Sequence, residues 1–216
     1  MINDLTLNGR TVLFADDTTL LTRGSSILQL RSDADILLGL AKEWFTANRL
    51  KLNEEKTQSL LCTLKNQEGV DAPVKLLGFW MDSKLSWTHH ISQVCVKLSR
   101  VIFLLWKLRP FLPKPYLKVI YHALFHSHLS YGIVVWGHSP ATHDILLLQK
   151  KAIRIVYHSG YLDHCRPIFQ ELEVFTVVSQ YVYNILSLLK DNLSSFSKRE
   201  DLHGHGTQHA KDMDIQ

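Results

Sequence analysis

The sequence predicts an α+β chain: a β-hairpin, a helix and small antiparallel strands, followed by an all-helical unit. Three observations predict it. Two short runs, TVLFA (11–15) and TTLLT (18–22), flank the pair Asp16-Asp17, as strands flank a tight turn. Apolar residues between Ile27 and Phe45 recur at three- and four-residue steps, the period of a helix with one buried face. Beyond His89 the same period returns in successive segments.

The first helix has a start signal. Ser26 with Gln29 forms a capping box, and the apolar face runs through Leu30, Ala34, Leu37, Leu38, Ala41 and Trp44 to about Asn48. LKLNEEKTQSLLCTL (50–64) and VKLLGFWMD (74–82) read as strands, and MDSKLSW as a turn with a further short strand. From His89, Ile91, Val94, Leu98, Val101, Ile102, Leu105 and Leu108 line one helical face. Lys97, Arg100 and Lys107 fall largely off it. Pro110, Pro113 and Pro115 break that helix, and Pro115 suits the first turn of the next, which should reach Leu129. A third helix covers His143–Tyr157, with Ile145, Leu148, Ala152 and Val156 on its apolar side and Lys150, Lys151 and Arg154 on its basic side. A fourth apolar segment lies near Glu173–Leu189. The expected units are therefore 1–88, 89–190 and a polar tail, 191–216.

Composition is globular: of 216 residues, 46% are hydrophobic and 20% charged. Cys62, Cys95 and Cys165 are odd in number and widely spaced, which suits a reducing compartment better than a disulfide framework. MINDLTLNGR lacks the apolar core of a secretory signal. The most apolar region, Tyr116 to Trp136, is interrupted by Lys118, His122, His126 and His128, so no membrane span is predicted. An intracellular protein, nuclear or cytoplasmic and not secreted, is expected.

The net charge of +4 is unevenly placed. Lys84 to Gly160 holds ten Lys or Arg and one acid, Asp144, giving +9 there and −5 elsewhere. Such asymmetry suits a polyanionic partner; a solvated basic face is the plainer alternative.

Asp16-Asp17 raises a specific chemistry. Nucleotidyl transfer uses two divalent ions roughly 3.5–4 Å apart, and Mg²⁺ takes a few carboxylates together with substrate phosphates. A rigid hairpin tip can present carboxylates for that purpose, with Ala15 leaving room and Phe14 anchoring the strand. An Asx-stabilised turn is the plainer alternative.

The surrounding motifs narrow the choice. LFADDTTLL (13–21) resembles the palm motif of reverse transcriptases, and WFTANRLKLNEEKTQ (44–58) resembles the next block of the non-LTR retrotransposon enzymes. LLGFWMDSKLSWTHHI (76–91) is similar to their primer-grip block. LSYGIVVWG (129–137) and LLQKKAIRIVY (147–157) are similar to thumb and post-thumb segments of the jockey-like group, and LHGHGTQHA (202–210) to a later His-containing stretch, where Gln208 stands in place of the usual Arg.

The resemblance implies a partial polymerase palm followed by a helical thumb-like unit, from the C-terminal part of an RNA-directed DNA polymerase of a transposable element. It implies Asp16 as the stronger metal ligand, Asp17 as the supporting one, and Mg²⁺ or Mn²⁺ as cofactor in the complete enzyme. Lys56 matches a lysine that protonates pyrophosphate; a salt bridge to Glu54 or Glu55 is its alternative role. Asn48 and Asn53 would shape nearby turns. Gly78 would let the backbone approach the primer, with a β-bulge as the alternative. Trp87, His89 and His90 are expected to pack or cap.

The implied partners are an RNA template and a DNA primer, with Lys97, Arg100, Lys107, Arg109, Lys114, Lys118, Lys150, Lys151 and Arg154 tracking phosphates. Such polymerases carry a further Asp and their fingers upstream of the hairpin. Fifteen residues precede Asp16 here, and Asp4 is the only acid among them. The expectation is therefore an incomplete active site, no polymerisation by the chain alone, and the missing N-terminal part of the polymerase as a further partner. A non-catalytic nucleic-acid-binding module or a decayed remnant are the competing readings. His122, His126 and His128, and His203, His205 and His209, lack zinc-motif spacing, and no structural zinc is expected.

Overall fold

Strand β1 (Arg10–Phe14) pairs antiparallel with β2 (Asp17–Leu21), placing Phe14 opposite Asp17 and Val12 opposite Thr19. A strand's side chains alternate in direction, so one face carries Val12, Phe14, Asp17, Thr19 and Leu21. That face is open to solvent: Val12, Phe14 and Leu21 are each about half exposed or more. Phe14 therefore does not anchor the strand as its sequence position suggested. Leu13 and Leu20, on the other face, are half-buried. The computed structural model describes residues 10–63 and 72–193; the 191–216 tail beyond Leu193, with His203, His205, His209 and Gln208, and the residues around Asp4 lie outside them.

Helix α1 (Ile27–Ala47) begins where Ser26 Oγ accepts the Gln29 backbone N–H at 3.3 Å. Its buried or half-buried residues are Ile27, Leu30, Ala34, Leu37, Leu38, Ala41, Trp44 and Phe45, the stripe the spacing predicts. The helix ends at Asn48, whose side chain donates to the Trp44 carbonyl at 2.9 Å. The segment 50–63 was expected to form a strand. It holds instead a single 3₁₀ turn, Glu54–Lys56, capped by Asn53. Asn-Glu-Glu supplies a side-chain acceptor and acids at a helical N-terminus, and these local bonds compete with strand pairing.

The chain divides into two compact units between Ser59 and Leu60, where the sequence placed the boundary near residue 88. The reason lies in the next two strands. β3 (Val74–Leu76) and β4 (Phe79–Met81) form a hairpin around Leu77-Gly78, and its Phe79 and Met81 pack against the helical core. VKLLGFWMD is thus two strands rather than one. MDSKLSW forms no further strand: Asp82 Oδ1 accepts the backbone N–H groups of Lys84 and Ser86 at 3.0 Å, and Ser86 Oγ donates to Oδ2 at 2.9 Å. Burial works to raise the Asp82 pKa, but these donors outweigh it and hold the carboxyl low.

The second unit continues with α2 (Thr88–Leu108), α3 (Lys114–Ile120), a π-helical turn (Tyr121–His126), α4 (Ser127–Ser130), α5 (Ile133–Trp136), α6 (Thr142–Tyr157), α7 (Cys165–Glu171) and α8 (Val177–Asp191). Ile91, Val94, Leu98, Val101 and Leu105 of α2 are buried against a core that includes Leu117, Tyr121, Phe125, Leu129, Ile145, Ala152, Ile153 and Val156. The expected helix to Leu129 is continuous in path but π-wound at its centre, and the short α5 and α7 were not foreseen. Helices of four to seven residues carry too few repeats for periodicity to show.

One polar group joins three of these elements inside the core. Gln149 on α6 is fully buried. Its Nε2 donates to Tyr121 Oη at 2.9 Å and to the Phe175 carbonyl at 2.8 Å, while its Oε1 accepts the Val177 N–H at 2.8 Å. Burial pushes the Tyr121 pKa up to about 12, against the lowering effect of Gln149. Gln149→Leu leaves these buried partners unpaired, and each orphaned group costs about 1–3 kcal/mol. The variant should therefore lose at least about 2 kcal/mol in urea unfolding, well beyond a simple change of side-chain volume.

Candidate nucleic-acid and metal site

Asp16, Asp17 and Lys56 belong to the first unit, and all the other predicted site residues to the second. The hairpin tip is a two-residue turn, Ala15-Asp16, with Ala15 at φ 52°, one residue earlier than the expected Asp16-Asp17 turn, so that Asp17 is the first residue of β2. Positive φ at the first central residue alone is the pattern of a type II′ turn, where glycine is favoured; alanine there is strained. Asp16 and Asp17 are exposed, and their carboxylates make no hydrogen bond or ion pair among the described residues. The alternative of an Asx-stabilised turn is therefore not what forms this tip: backbone conformation does. Two adjacent carboxylates with unused oxygens fit a divalent ion as part of a donor set, leaving its remaining positions to phosphates and water. Among the described residues no group of three or more His, Cys, Asp or Glu is placed to hold a metal.

Lys56 is exposed, and its backbone N–H bonds to Asn53. Its alternative role, a salt bridge to Glu54 or Glu55, is not seen. Glu54 instead pairs with Lys42 at 2.8 Å, and that hydrogen bond and charge lower the Glu54 pKa.

Gly78 sits at φ 86° in the β3–β4 turn, and a Cβ there would lie 3.4 Å from the Tyr131 ring. Tyr131 Oη donates to the neighbouring Leu77 carbonyl at 2.7 Å. Phe79 stacks on Tyr131 with centroids 5.1 Å apart, and its ring fills the place a Cβ on Gly132 would take, 2.2 Å away. A Cβ at residue 78 would make ordinary contact with Tyr131, so the demand for glycine comes from its left-handed φ in the turn.

His90 completes this seat. It is buried and lies beside Phe79, Trp87 and Trp136. Its Nδ1 accepts the Trp80 backbone N–H at 3.4 Å. The neutral ring therefore carries its proton on Nε2, which has no hydrogen-bond partner among the described residues. Burial, helped by Lys97 and His89, pushes the imidazole below its usual 6.5.

The basic residues divide by use. Lys97, Arg100 and Lys107 are exposed on one face of α2, interleaved with the exposed Val96, Phe103, Leu104 and Trp106. Lys107 Nζ lies 5.1 Å from the Trp106 ring centre and 5.5 Å from that of Phe103. Lys151 is exposed on α6, whereas Lys114, Lys118 and Lys150 are half-buried. Lys114 Nζ sits 3.5 Å above the Tyr157 ring. Arg109 and Arg154 hold backbone: Arg109 Nη2 donates to the Ser159 carbonyl at 3.3 Å, and Arg154 Nε to that of Asp163 at 2.9 Å. His126 bonds Gln180 at 3.3 Å. Burial, with His126 and Lys118 nearby, holds His122 below the usual imidazole range. The aromatic residues interleaved on α2 and the Tyr131-Gly132 seat were missed at the sequence level. The signals were present: large apolar residues off the helical stripe, and a Tyr-Gly pair inside an apolar run.

The chain carries a region like that of the non-LTR retrotransposon reverse transcriptases. Over 185 aligned residues, covering 74% of this chain, it is 26% identical to the RNA-directed DNA polymerase from mobile element jockey of Drosophila melanogaster. The match spans about a fifth of that protein's length, 19%. No family model matches the chain, and no solved structure matches it. Among the described residues no helix is long and apolar enough to cross a membrane.

The seat of the β3–β4 hairpin should be pH-sensitive. The unfolded chain binds a proton at His90 near pH 6.5 that the folded chain refuses, so stability is full above that pH and falls as pH drops toward the lower folded value. His122, also held low, adds to the slope, while carboxylates such as Asp82 act at lower pH. Thermal melts between about pH 7 and 5 should show a falling Tm, with a shallower slope in His90→Gln, which keeps an acceptor for Trp80 but does not titrate.

Proposed function

We propose that this chain is a reverse-transcriptase-derived segment that binds an RNA–DNA template–primer duplex through its second unit and does not polymerise DNA by itself. The observation that carries the binding reading is the α2 face. Lys97, Arg100 and Lys107 point to solvent, and the one ion pair among the described residues, Lys42–Glu54, uses none of them. Cations left without acidic partners on a rigid helix suit phosphates read without base specificity. The similarity to a mobile-element polymerase favours nucleic acid over other polyanions.

Asp16 and Asp17 are the residues that would hold Mg²⁺ or Mn²⁺ within a complete polymerase, where such an ion stabilises charge on the reacting phosphate oxygens. Their tip keeps both carboxylates unpaired and solvent-facing, and Lys56 is free to move a proton at a departing pyrophosphate. Two carboxylates on one turn do not form a complete donor set, so a polymerase segment carrying a further acid is the partner this reading requires. The setting is intracellular, in nucleus or cytoplasm. A non-catalytic binding module shares the α2 face but has no use for Asp16 and Asp17.

Two measurements test the proposal. In gel shifts, affinity for an RNA–DNA duplex should fall about fortyfold between about 50 and 200 mM salt if the three α2 cations each meet a phosphate. Replacing Lys97, Arg100 and Lys107 with Gln should flatten that dependence, and salt-independent binding would end the phosphate reading. In primer extension on an RNA template, the chain alone should add no nucleotide in Mg²⁺ or Mn²⁺. Extension that disappears in Asp16→Asn with Asp17→Asn would instead make the chain a polymerase in its own right.

A further inference from the structure

Between α6 and α7 the chain makes a short loop, residues 158–164, built unlike an ordinary surface turn. Helix α6 ends in a left-handed His158, φ 62°, and the Ser159 N–H returns to the Arg154 carbonyl at 3.0 Å. The Gly160 N–H donates to Asp163 Oδ2 at 2.7 Å. The two arginine contacts described above then grip the loop from both sides, Arg109 at Ser159 and Arg154 at Asp163. These bonds fix the loop's base, yet its tip is apolar and open: Tyr161 is 75% exposed and Leu162 89%. Among the described residues the Tyr161 ring contacts no other aromatic and its hydroxyl has no partner.

A pinned loop that holds an aromatic ring in water costs solvation unless the ring meets something. The charge around it indicates what. Arg109 and Arg154 against Asp163 leave a net +1 at the base of the loop, and the Asp163 carboxylate is turned inward to Gly160. Arg154 spends only Nε on the loop, so the rest of its guanidinium fork is available to a phosphate. An exposed aromatic face next to cations fits a nucleobase and its flanking phosphates. Bases inside a duplex are already stacked and cannot reach such a ring, so the matching partner has unpaired nucleotides.

We propose that the 158–164 loop binds single-stranded nucleic acid, with Tyr161 stacking on an unpaired base and Arg109 and Arg154 meeting the adjacent phosphates. It rests on the nucleic-acid reading above but concerns a different face and a different form of nucleic acid. The test uses the full chain and a short oligoadenylate carrying 2-aminopurine, whose fluorescence is quenched on stacking, with a blunt RNA–DNA duplex measured in parallel. Tyr161→Ala should weaken single-strand binding about tenfold and abolish the quench, Tyr161→Phe should retain both, and duplex affinity should change in neither. Unchanged quenching in Tyr161→Ala overturns the proposal while leaving the duplex reading intact. Tyr161-dependent quenching without duplex binding would support the loop and remove the duplex reading. Tyr161-dependent binding to phosphatidylserine vesicles, or Tyr161-dependent self-association in sedimentation, in place of oligonucleotide binding would overturn it in favour of those occupants.

Discussion

The apolar stripe of α2 is the constraint on which the second unit depends. Ile91, Val94, Leu98, Val101 and Leu105 repeat at steps of three and four and are buried. Once that side faces the core, the rest of the helix has no choice: Lys97, Arg100, Phe103, Trp106 and Lys107 must face water. The surface proposed to meet phosphates is thus a geometric consequence of core packing. Gln149 adds direction to a core that is otherwise non-directional. Its three hydrogen bonds are satisfied only when the π-helical turn, α6 and the start of α8 hold one mutual arrangement, and a half-satisfied buried amide is worse than none.

The β3–β4 hairpin shows a second kind of dependence. Two strands of three residues are too short to be stable alone. They persist because Phe79 is stacked on Tyr131 over a glycine, and because His90 accepts the Trp80 N–H. The left-handed turn at Leu77-Gly78, φ 47° and 86°, is held from outside by Tyr131. The β1–β2 hairpin has a different balance. It has Thr18, Thr19 and Leu20 half-buried, α1 for support, and a strained Ala15 at its tip. Its open face, with Val12, Phe14 and Leu21, and its unpaired strand edges are features that soluble domains usually cover.

The proposed functions rest on what each unit leaves exposed and unpartnered: in the first unit the carboxylates of Asp16 and Asp17, in the second the cations of α2 and the apolar tip of the 158–164 loop. The similarity to a mobile-element polymerase is what makes the two proposals compatible, since nucleotidyl transfer needs both carboxylates and a grip on the nucleic acid.

The sequence by itself determined the α+β class, the presence of a hairpin at Asp16-Asp17, the Ser26 cap and the long helices, because local hydrogen bonds and a 3.6-residue apolar period are written within a few residues of one another; it did not determine that hairpin's register, which turns on Ala15-Asp16. It also determined the family resemblance, which rests on motif order. Tertiary structure alone decided that β3–β4 belongs with the helices and that Tyr131 packs against its turn; the 3₁₀ turn at Glu54–Lys56 was written locally in Asn53-Glu54-Glu55 but outweighed there by the strand-like pattern of the flanking apolar residues. Tertiary structure also decided which cations engage backbone: Arg109 donates through Nη2 to a carbonyl fifty residues away and Arg154 through Nε to one nine residues away, while Lys97 and Arg100 make no such bond among the described residues. Such choices depend on partners distant in the chain, and no local pattern specifies which distant carbonyl a guanidinium will find.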